Sequence, residues 1–293
     1  MSALGESFVR PRDLGEACAR VADLVARGVP HHVIAGGTDL VVESHLRPPS
    51  AVAPAAATLV DVSRVPELVE FAVRGDTIRL GGGVTFLTVR RAPALAPLRV
   101  LVEAGKDVGA IQIQARGTLA GNVVTASPAG DGVAALMALE AVVGLRSVRG
   151  ERAVPLRDYY QGYKKTVRAT DELVAWLDVR VPAADAFQSW RKVGTRLAQA
   201  ISKVALAAVV ERDGETIRRA RFGMASVAPT TSPLAHVERY LEGRSTRGLD
   251  LAGLDAAVDA DVSPIDDVRS TAEYRRHVAR ALVREVARGL APE

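Results

Sequence analysis

Residues 116–131 form the stretch that most constrains how this chain can fold. Two glycines free the backbone there, and Asn122, Thr125 and Ser127 place short polar side chains beside it. An apolar helical run over 133–139 follows directly. Glycine lets main-chain N–H groups approach a ligand closely, and a helix N-terminus favours an anion. Taken alone, however, such a loop is more often an ordinary turn that leads into a capped helix.

A second glycine pair, Gly36 and Gly37, offers a similar arrangement nearer the start of the chain. The short, partly β-branched segment 32–35 suits a strand, and the glycines are followed by Thr38, Asp39 and the apolar residues 40–42. A strand, a double glycine and a new helix make a candidate phosphate cradle, because the turn directs N–H groups outward. A lone double glycine is a weak signal, so this interpretation depends on the rest of the chain.

Length and composition favour a soluble globular protein with two domains, or one large and one small. The chain has 293 residues, 48% hydrophobic and 25% charged. The formal net charge of +4 could suggest nucleic-acid binding, but 38 basic residues face 34 acidic ones and the two are interspersed. No run of like charges and no basic–aromatic alternation is present, so we interpret the charges as a solvated surface.

The single cysteine, Cys18, narrows the chemistry that this chain can perform by itself. It excludes an internal disulfide framework, a four-cysteine zinc site and any iron–sulfur cluster held by this chain alone. Residues 1–6 lack a basic segment and a long apolar core, so we expect no signal peptide. No apolar run approaches the roughly 18 residues that a membrane span needs. We therefore expect a cytoplasmic protein without a membrane span.

The spacing of apolar residues predicts an α+β fold with an α/β first domain and a boundary near 182–186. Residues 48–57, rich in proline and alanine, are expected to form a loop. Helices are expected from Asp13 to Gly28 and over 98–105, 233–241, 249–258 and 272–288. Strands are expected over 32–35, 59–62, 71–73, 77–80, 141–148, 152–156, 173–181, 187–192, 204–210 and 217–227, the last three forming a small antiparallel sheet.

Four stretches together resemble the FAD-binding subunit or domain of the molybdenum hydroxylases, such as xanthine dehydrogenase and aerobic carbon monoxide dehydrogenase. Their order and spacing match over nearly the whole chain. The main departure is Ala120, where the family usually has glycine, which adds one methyl group near the flavin phosphates. The four stretches are 34–40, 117–131 (similar to the pattern T-I-G-G-N…ASP…D), 190–204 (similar to K-x3-R…IAKV) and 267–275.

The resemblance implies an FAD-binding domain of the vanillyl-alcohol-oxidase (PCMH) type over 1–182. Two subdomains, about 1–57 and 58–182, would clasp non-covalently bound FAD. A smaller α+β domain of the carbon monoxide dehydrogenase flavoprotein type would follow over 186–293. The cofactor-binding residues that the resemblance implies are Val33, Ile34, Ala35, Gly36, Gly37, Thr38, Asp39, Leu40, Thr118, Gly121, Asn122, Asp131, Val174 and Lys192.

Within that set, the resemblance assigns different tasks to different residues. Main-chain N–H groups of 33–40 would contact the pyrophosphate, and a side chain added at Gly37 would fill the space that the pyrophosphate needs. Asp131 would suit a ribose hydroxyl, because an ionised carboxylate accepts hydrogen bonds and repels phosphate. Lys192 is carried over from the resemblance alone, and Val174 could equally be an ordinary buried strand residue.

The function implied is that of an electron-transfer flavoprotein subunit. A molybdopterin-containing large subunit would oxidise substrate, and a [2Fe–2S] small subunit would pass electrons to FAD, which would reduce NAD⁺, oxygen or a quinone. No acid, base or nucleophile is expected, because the redox chemistry belongs to the cofactor. Two alternatives remain open: a stand-alone FAD-dependent oxidase or monooxygenase of secondary metabolism, and a binding module that has lost FAD. The sequence does not name the substrate, the final acceptor or the oligomeric state.

Overall fold

The structure is a computed structural model that describes residues 7–46 and 57–291, so the loop expected over 48–57 lies almost wholly outside it. No helix in the described ranges is both long and apolar enough to cross a membrane. The strands are β1 Ser7–Val9, β2 His31–Ile34, β3 Thr58–Asp61, β4 Phe71–Arg74, β5 Thr77–Gly81, β6 Val142–Ser147, β7 Gly150–Pro155, β8 Tyr160–Gly162, β9 Lys165–Thr166, β10 Leu173–Arg180, β11 Phe187–Val193, β12 Val204–Asp213, β13 Thr216–Ala225 and β14 Ser232–Pro233. The α-helices are α1 Leu14–Ala26, α2 Thr38–Leu46, α3 Pro66–Val69, α4 Phe86–Arg91, α5 Arg99–Asp107, α6 Ile111–Gln114, α7 Leu119–Thr125, α8 Asp131–Ala138, α9 Leu156–Tyr159, α10 Ala235–Leu241, α11 Leu251–Asp261 and α12 Ala272–Gly289.

The first sheet is parallel and places the first glycine pair at the end of a strand. Its order is β1-β3-β2, and α1 connects β1 to β2. The predicted cap of α1 is confirmed, since Asp13 accepts a hydrogen bond from the Glu16 N–H at 2.7 Å. Gly36 and Gly37 follow β2 at its carboxyl end and lead into α2. Ligands of open parallel sheets bind at that edge.

The second sheet is antiparallel, and the predicted hairpins within it are confirmed. Its five strands run in the order β4-β5-β10-β6-β7. Its core includes Leu80, Leu145 and Leu177, with α5, α7 and α8 contributing apolar side chains to the same cluster. The register of β10 against β6 shifts between Val174 and Trp176, which marks a β-bulge at that point.

The third sheet, in the order β11-β12-β13-β14, packs apolar side chains on both faces. Alternate residues of β12 belong to different cores, as the two-residue period of a strand requires. Ala205, Ala207 and Val209 face the cluster that contains α5 and α8, whereas Leu206 and Val210 face the cluster that contains α10, α11 and α12. The predicted C-terminal strands and helices are therefore confirmed, and their sheet is a layer between two sets of helices.

The stretch 116–131 is not the loop that the sequence suggested. Thr118 caps α7 by accepting a hydrogen bond from the Gly121 N–H at 3.0 Å, and α7 ends at Thr125, before the cap residue Ala126, whose φ is 50°. Asp131 begins α8. Apolar periodicity missed α7 because its seven residues amount to two turns, too few for a helical repeat to stand out.

A hydrogen bond from Trp190 holds the end of α5 against the third sheet, and Trp176 serves as the comparison. Trp190 donates a hydrogen bond from Nε1 to Asp107 Oδ2 at 2.8 Å, whereas Trp176 Nε1 is buried without a hydrogen-bond partner among the described residues. Replacing Trp190 with phenylalanine should lower the free energy of unfolding by about 1–2 kcal/mol more than the same change at Trp176. Trp190 loses a hydrogen bond to a carboxylate, whereas phenylalanine at position 176 keeps an aromatic ring beside the Arg79 guanidinium. Chemical denaturation of both variants measures the difference. Equal losses would contradict this account.

Candidate cofactor site

A cavity of about 500 Å³ opens between the β2–α2 turn and α7. It brings together residues from the first parallel sheet, from α7 and from the start of β10, which are far apart in the chain. Thr125 Oγ1 bridges the two sides, since it lies 2.7 Å from Asp39 Oδ2 and 2.9 Å from the Gly121 carbonyl oxygen. The predicted site residues that line this cavity are Val33, Ala35, Gly36, Gly37, Thr38, Asp39, Leu40, Thr118, Gly121, Asn122 and Val174.

The N-terminus of α2 supplies hydrogen-bond donors to this cavity. The backbone N–H groups of Thr38, Asp39 and Leu40 make no hydrogen bond to another described residue, and all three residues line the cavity. The first N–H groups of a helix have no intrahelical acceptor, and the helix dipole adds partial positive charge there. This end of α2 can therefore bind an anion such as a pyrophosphate.

The N-terminus of α7 differs, although the sequence suggested the same role for both helices. The N–H groups of Leu119, Ala120 and Gly121 donate to Val84 O, Gly82 O and Thr118 Oγ1. They are thus already used within the protein. Because Thr118 Oγ1 accepts in that cap, its own proton stays available to a ligand. A Cβ atom at Gly121 would lie only 2.9 Å from Thr118 Oγ1, so any other residue there would force this cap to shift.

The first glycine pair serves two different geometric needs. A Cβ atom at Gly36 would overlap the carbonyl oxygen of Arg116, so the two loops touch backbone to backbone. Gly37 has a φ of +73°, which other residues adopt with strain. A Cβ atom at Gly37 would lie 3.1 Å from Ile34 Cδ1, so a larger side chain there would press on Ile34. The predicted positive φ is confirmed, and the expectation that a side chain at Gly37 would fill the pyrophosphate space stays a prediction.

Three of the predicted site residues lie elsewhere. The Ile34 side chain packs beneath Gly37. Asp131 lines a second, adjoining cavity of about 880 Å³. Lys192 forms an ion pair with Asp131, with 2.5 Å between Lys192 Nζ and Asp131 Oδ2. Ser202 donates a hydrogen bond to the other carboxylate oxygen at 2.5 Å. Burial raises the pKa of Asp131, while the Lys192 ammonium and the Ser202 hydroxyl act in the opposite direction. A ribose contact by Asp131 stays a prediction.

The second cavity continues from the first and is closed by the C-terminal part of the chain. Asp39, Asn122, Thr125 and Lys164 line both cavities. The opposite wall comes from three separate segments within 199–202, 226–229 and 263–275. The sequence analysis named none of these wall residues as site residues, although two of the segments fall in stretches that carried the resemblance. Short loops without periodicity give no signal of where they will pack.

Among the described residues, most of the non-glycine residues with positive φ lie at or next to this second cavity. Five residues other than glycine have positive φ, namely Ala126, Glu140, Lys164, Gln199 and Ser226. Lys164, Gln199 and Ser226 line the second cavity, and Ala126 directly precedes its lining residue Ser127. Such conformations persist only where the surroundings hold them, and they cluster at functional sites.

The first cavity also contains residues that the site prediction omitted. Gly82, Gly83 and Ala120 line it beside Val174. A Cβ atom at Gly82 would overlap the Val174 carbonyl oxygen and lie 3.0 Å from Ala120 Cβ, so the extra methyl of Ala120 packs against a glycine. The triple glycine 81–83 was a signal that could have been used. Val174 is both a buried strand residue and a cavity residue, since it lies at the β10 bulge.

These features fit FAD. The free N–H groups at the start of α2 suit the pyrophosphate of FAD. The glycines have no side chains, so the cofactor can come close to the backbone. The two adjoining cavities together are long enough for a dinucleotide. Residues 4–184 match the family described as FAD binding domain in molybdopterin dehydrogenase, and residues 189–290 match the CO dehydrogenase flavoprotein C-terminal domain. The chain belongs to the FAD-binding subunits of the molybdenum hydroxylases. Its cofactor is FAD, and it is one oxidoreductase subunit of a type that works in multi-subunit dehydrogenases.

Curated relatives and solved structures agree with this flavoprotein family. The nicotinate dehydrogenase FAD-subunit of Eubacterium barkeri is 34% identical over 203 residues, which cover 67% of this chain and 66% of that protein. The carbon monoxide dehydrogenase medium chain of Hydrogenophaga pseudoflava is 28% identical over 282 residues, covering 94% and 93%. Reconstituted CO dehydrogenase from Oligotropha carboxidovorans superposes with a TM-score of 0.89 at 27% identity, covering 99% of each chain. The mixed helix–strand fold of this flavoprotein subunit is therefore that of the CO dehydrogenase medium subunits.

Replacing Gly37 with valine in this flavoprotein should reduce the FAD content of the purified protein at least about tenfold. The variant must strain a positive φ and press on Ile34, which displaces the N–H groups at the start of α2. Gly75→Val is the matched control, because Gly75 has a φ of +63° in a hairpin and a Cβ atom there would meet nothing within 4 Å. Flavin absorbance per protein measures the outcome. A Gly37 variant with full flavin content would contradict the assignment.

Proposed function

We propose that this chain is the electron-transfer subunit of a molybdenum-containing dehydrogenase, with FAD lying across both cavities. The observation that carries the proposal is the set of free N–H groups at the start of α2, facing the bare glycine surface of α7. Bound FAD supplies the capacity to accept electrons singly and release them singly or in pairs. The chain contributes binding, orientation and a surrounding with little water.

The residues around the cavities divide the binding among themselves. The N–H groups of Thr38, Asp39 and Leu40 hold the pyrophosphate, and the Thr118 hydroxyl donates a further hydrogen bond. Val174 and Ala120 provide apolar contacts at the bulge of β10. Asp131 lines the second cavity, and the ion pair with Lys192 compensates its charge.

The domain division follows from the same proposal. Residues 1–182 form the PCMH-type FAD-binding domain, with subdomains of about 1–57 and 58–182 on either side of the first cavity. Residues 186–293 form the C-terminal domain that closes the second cavity. β1, β2 and α2 belong to the first subdomain. The second contributes α7, α8 and β10, and also β3, the central strand of the parallel sheet.

The partners and the electron route are inferred from the family and from Cys18. The thiol of Cys18 is buried in α1, away from both cavities, and no group of three potential metal ligands exists among the described residues. We infer that a [2Fe–2S] small subunit delivers electrons and that a molybdopterin large subunit oxidises the substrate. The electrons leave through FAD to NAD⁺, oxygen or a quinone.

FAD should be bound without a covalent link, so acid precipitation should release the yellow colour into the supernatant. Covalent flavin links use histidine, cysteine or tyrosine side chains, and Tyr163 is the one such residue that lines either cavity in the described part of the chain. The absorbance of pellet and supernatant measures the partition. If colour stays with the pellet, Tyr163→Phe shows whether that phenol carries it.

The purified chain should bind FAD yet oxidise no aldehyde, aromatic heterocycle or carbon monoxide alone. Dithionite-reduced protein should still pass electrons to an artificial acceptor, because that step needs only the flavin and its site.

Co-expression with adjacent genes should give co-elution of a [2Fe–2S] protein and a molybdopterin protein on size-exclusion chromatography. A solitary yellow protein that oxidises an organic substrate with oxygen would instead support the stand-alone flavoenzyme.

A further inference from the structure

A continuous series of hydrogen-bonded polar groups runs along the wall of the second cavity. It joins α5 and α8 to the β11–β12 loop, to the end of β13 and to α12. Few of its members are exposed to solvent, and no periodicity in the sequence connects them. We call it the polar chain, and its members are Asp107, Lys192, Asp131, Ser202, Ser226, Arg275 and Asp267.

Its first half is a buried ion pair with a hydroxyl group. The side chains of Lys192 and Asp131 are only 10% and 9% exposed. Lys192 Nζ also donates to the Asp107 carbonyl oxygen at 2.9 Å. A buried ion pair loses its hydration, so it is tolerated only where further hydrogen bonds satisfy the remaining lone pairs. Ser202, 1% exposed, supplies that bond to Asp131 Oδ1 at 2.5 Å.

Its second half holds the strained end of β13. Ser226 has a φ of 68°, and its hydroxyl donates to the Ser202 carbonyl oxygen at 2.9 Å. The Ser226 N–H donates to the Pro128 carbonyl oxygen at 2.7 Å, just before α8. Arg275, itself buried, donates to the Ser226 carbonyl oxygen at 3.1 Å and to Asp267 Oδ1 at 2.6 Å. Ser202 therefore lies where both halves meet.

We propose that Ser202 is a positioning residue of the flavin site. Acting through Asp131, it fixes the C-terminal wall of the second cavity against α8 and favours the ionised form of that carboxylate. The inference rests on the proposed function, in that the second cavity holds part of FAD.

The charged groups around Asp131 determine in which direction the pH dependence of FAD affinity should shift. Lys192 faces it from β11, and Asp107 faces it from α5 as a second, repelling carboxylate. A hydrogen bond to the ionised form lowers the pKa of a carboxylate. Removing the Ser202 hydroxyl should therefore raise the pKa of Asp131 further. The transition in FAD affinity that follows Asp131 protonation should move to higher pH.

The test is a double-mutant cycle on the full chain, freed of FAD and titrated with FAD by flavin fluorescence. The variants are Ser202→Ala, Asp131→Asn and the double variant, each measured between about pH 5 and pH 9. Ser202→Ala should weaken FAD binding about tenfold in the wild-type background, as the loss of a bond to a charged group implies. It should have a clearly smaller effect in the Asp131→Asn background, because the neutral amide oxygen accepts a weaker hydrogen bond than a carboxylate does.

Two sets of variants separate the hydroxyl from packing. Ser202→Thr and Ser202→Val have nearly the same shape, so a difference between them reports the hydroxyl even if Ser202→Ala folds poorly. Ser147→Ala is the matched control, since Ser147 is a buried serine of β6 that lines neither cavity, and it should bind FAD like the wild type. Thermal unfolding of each FAD-free variant checks that the fold persists.

The outcomes distinguish this inference from the proposed function. Wild-type affinity and an unchanged pH profile in Ser202→Ala would overturn the inference. Equal tenfold losses with and without the Asp131→Asn change would overturn it too, as would equal affinities of the Ser202→Thr and Ser202→Val variants. A wild-type chain that binds no FAD would instead overturn the proposed function.

Discussion

The contact between Gly36 and the Arg116 carbonyl group is the constraint on which the cofactor site depends. It brings the end of a parallel strand against the segment that leads into α7, with no side chain between them. Any Cβ atom there would overlap the carbonyl oxygen, so the two loops would have to separate. The hydrogen bond between Thr125 and Asp39 joins the same two sides of the site. The first cavity is the space that remains beside this contact.

The N-termini of α2 and α7 have similar sequences but differ in how their backbone N–H groups are hydrogen-bonded. At α2 the first N–H groups are left free for a ligand, whereas at α7 they are bound by Val84, Gly82 and Thr118. The difference arises because α7 lies against the triple-glycine turn that follows β5, where backbone carbonyl groups come within reach. The site therefore has one electropositive side and one rigid side.

The sequence predicted most of the strands and long helices, because their apolar residues repeat at clear intervals. Most of the residues that the resemblance implied for the cofactor line the first cavity, because they lie in two short stretches of glycine and small polar residues that the fold brings together. The second cavity could not be predicted in this way. Ser202 and Asp131 are 71 positions apart and meet only after the third sheet has packed against α8.

The third sheet has a consequence for how this protein can be divided. Because β12 and its neighbours bury apolar side chains on both faces, neither face can stand in water without the helices that cover it. A fragment that ends before β11 would expose the apolar sides of α5 and α8, and the complementary fragment would expose Ala205, Ala207 and Val209. Exposed apolar surfaces of that kind associate. The boundary that the sequence indicates near 182–186 is thus a poor place to divide the chain. The two parts should be expressed as one unit.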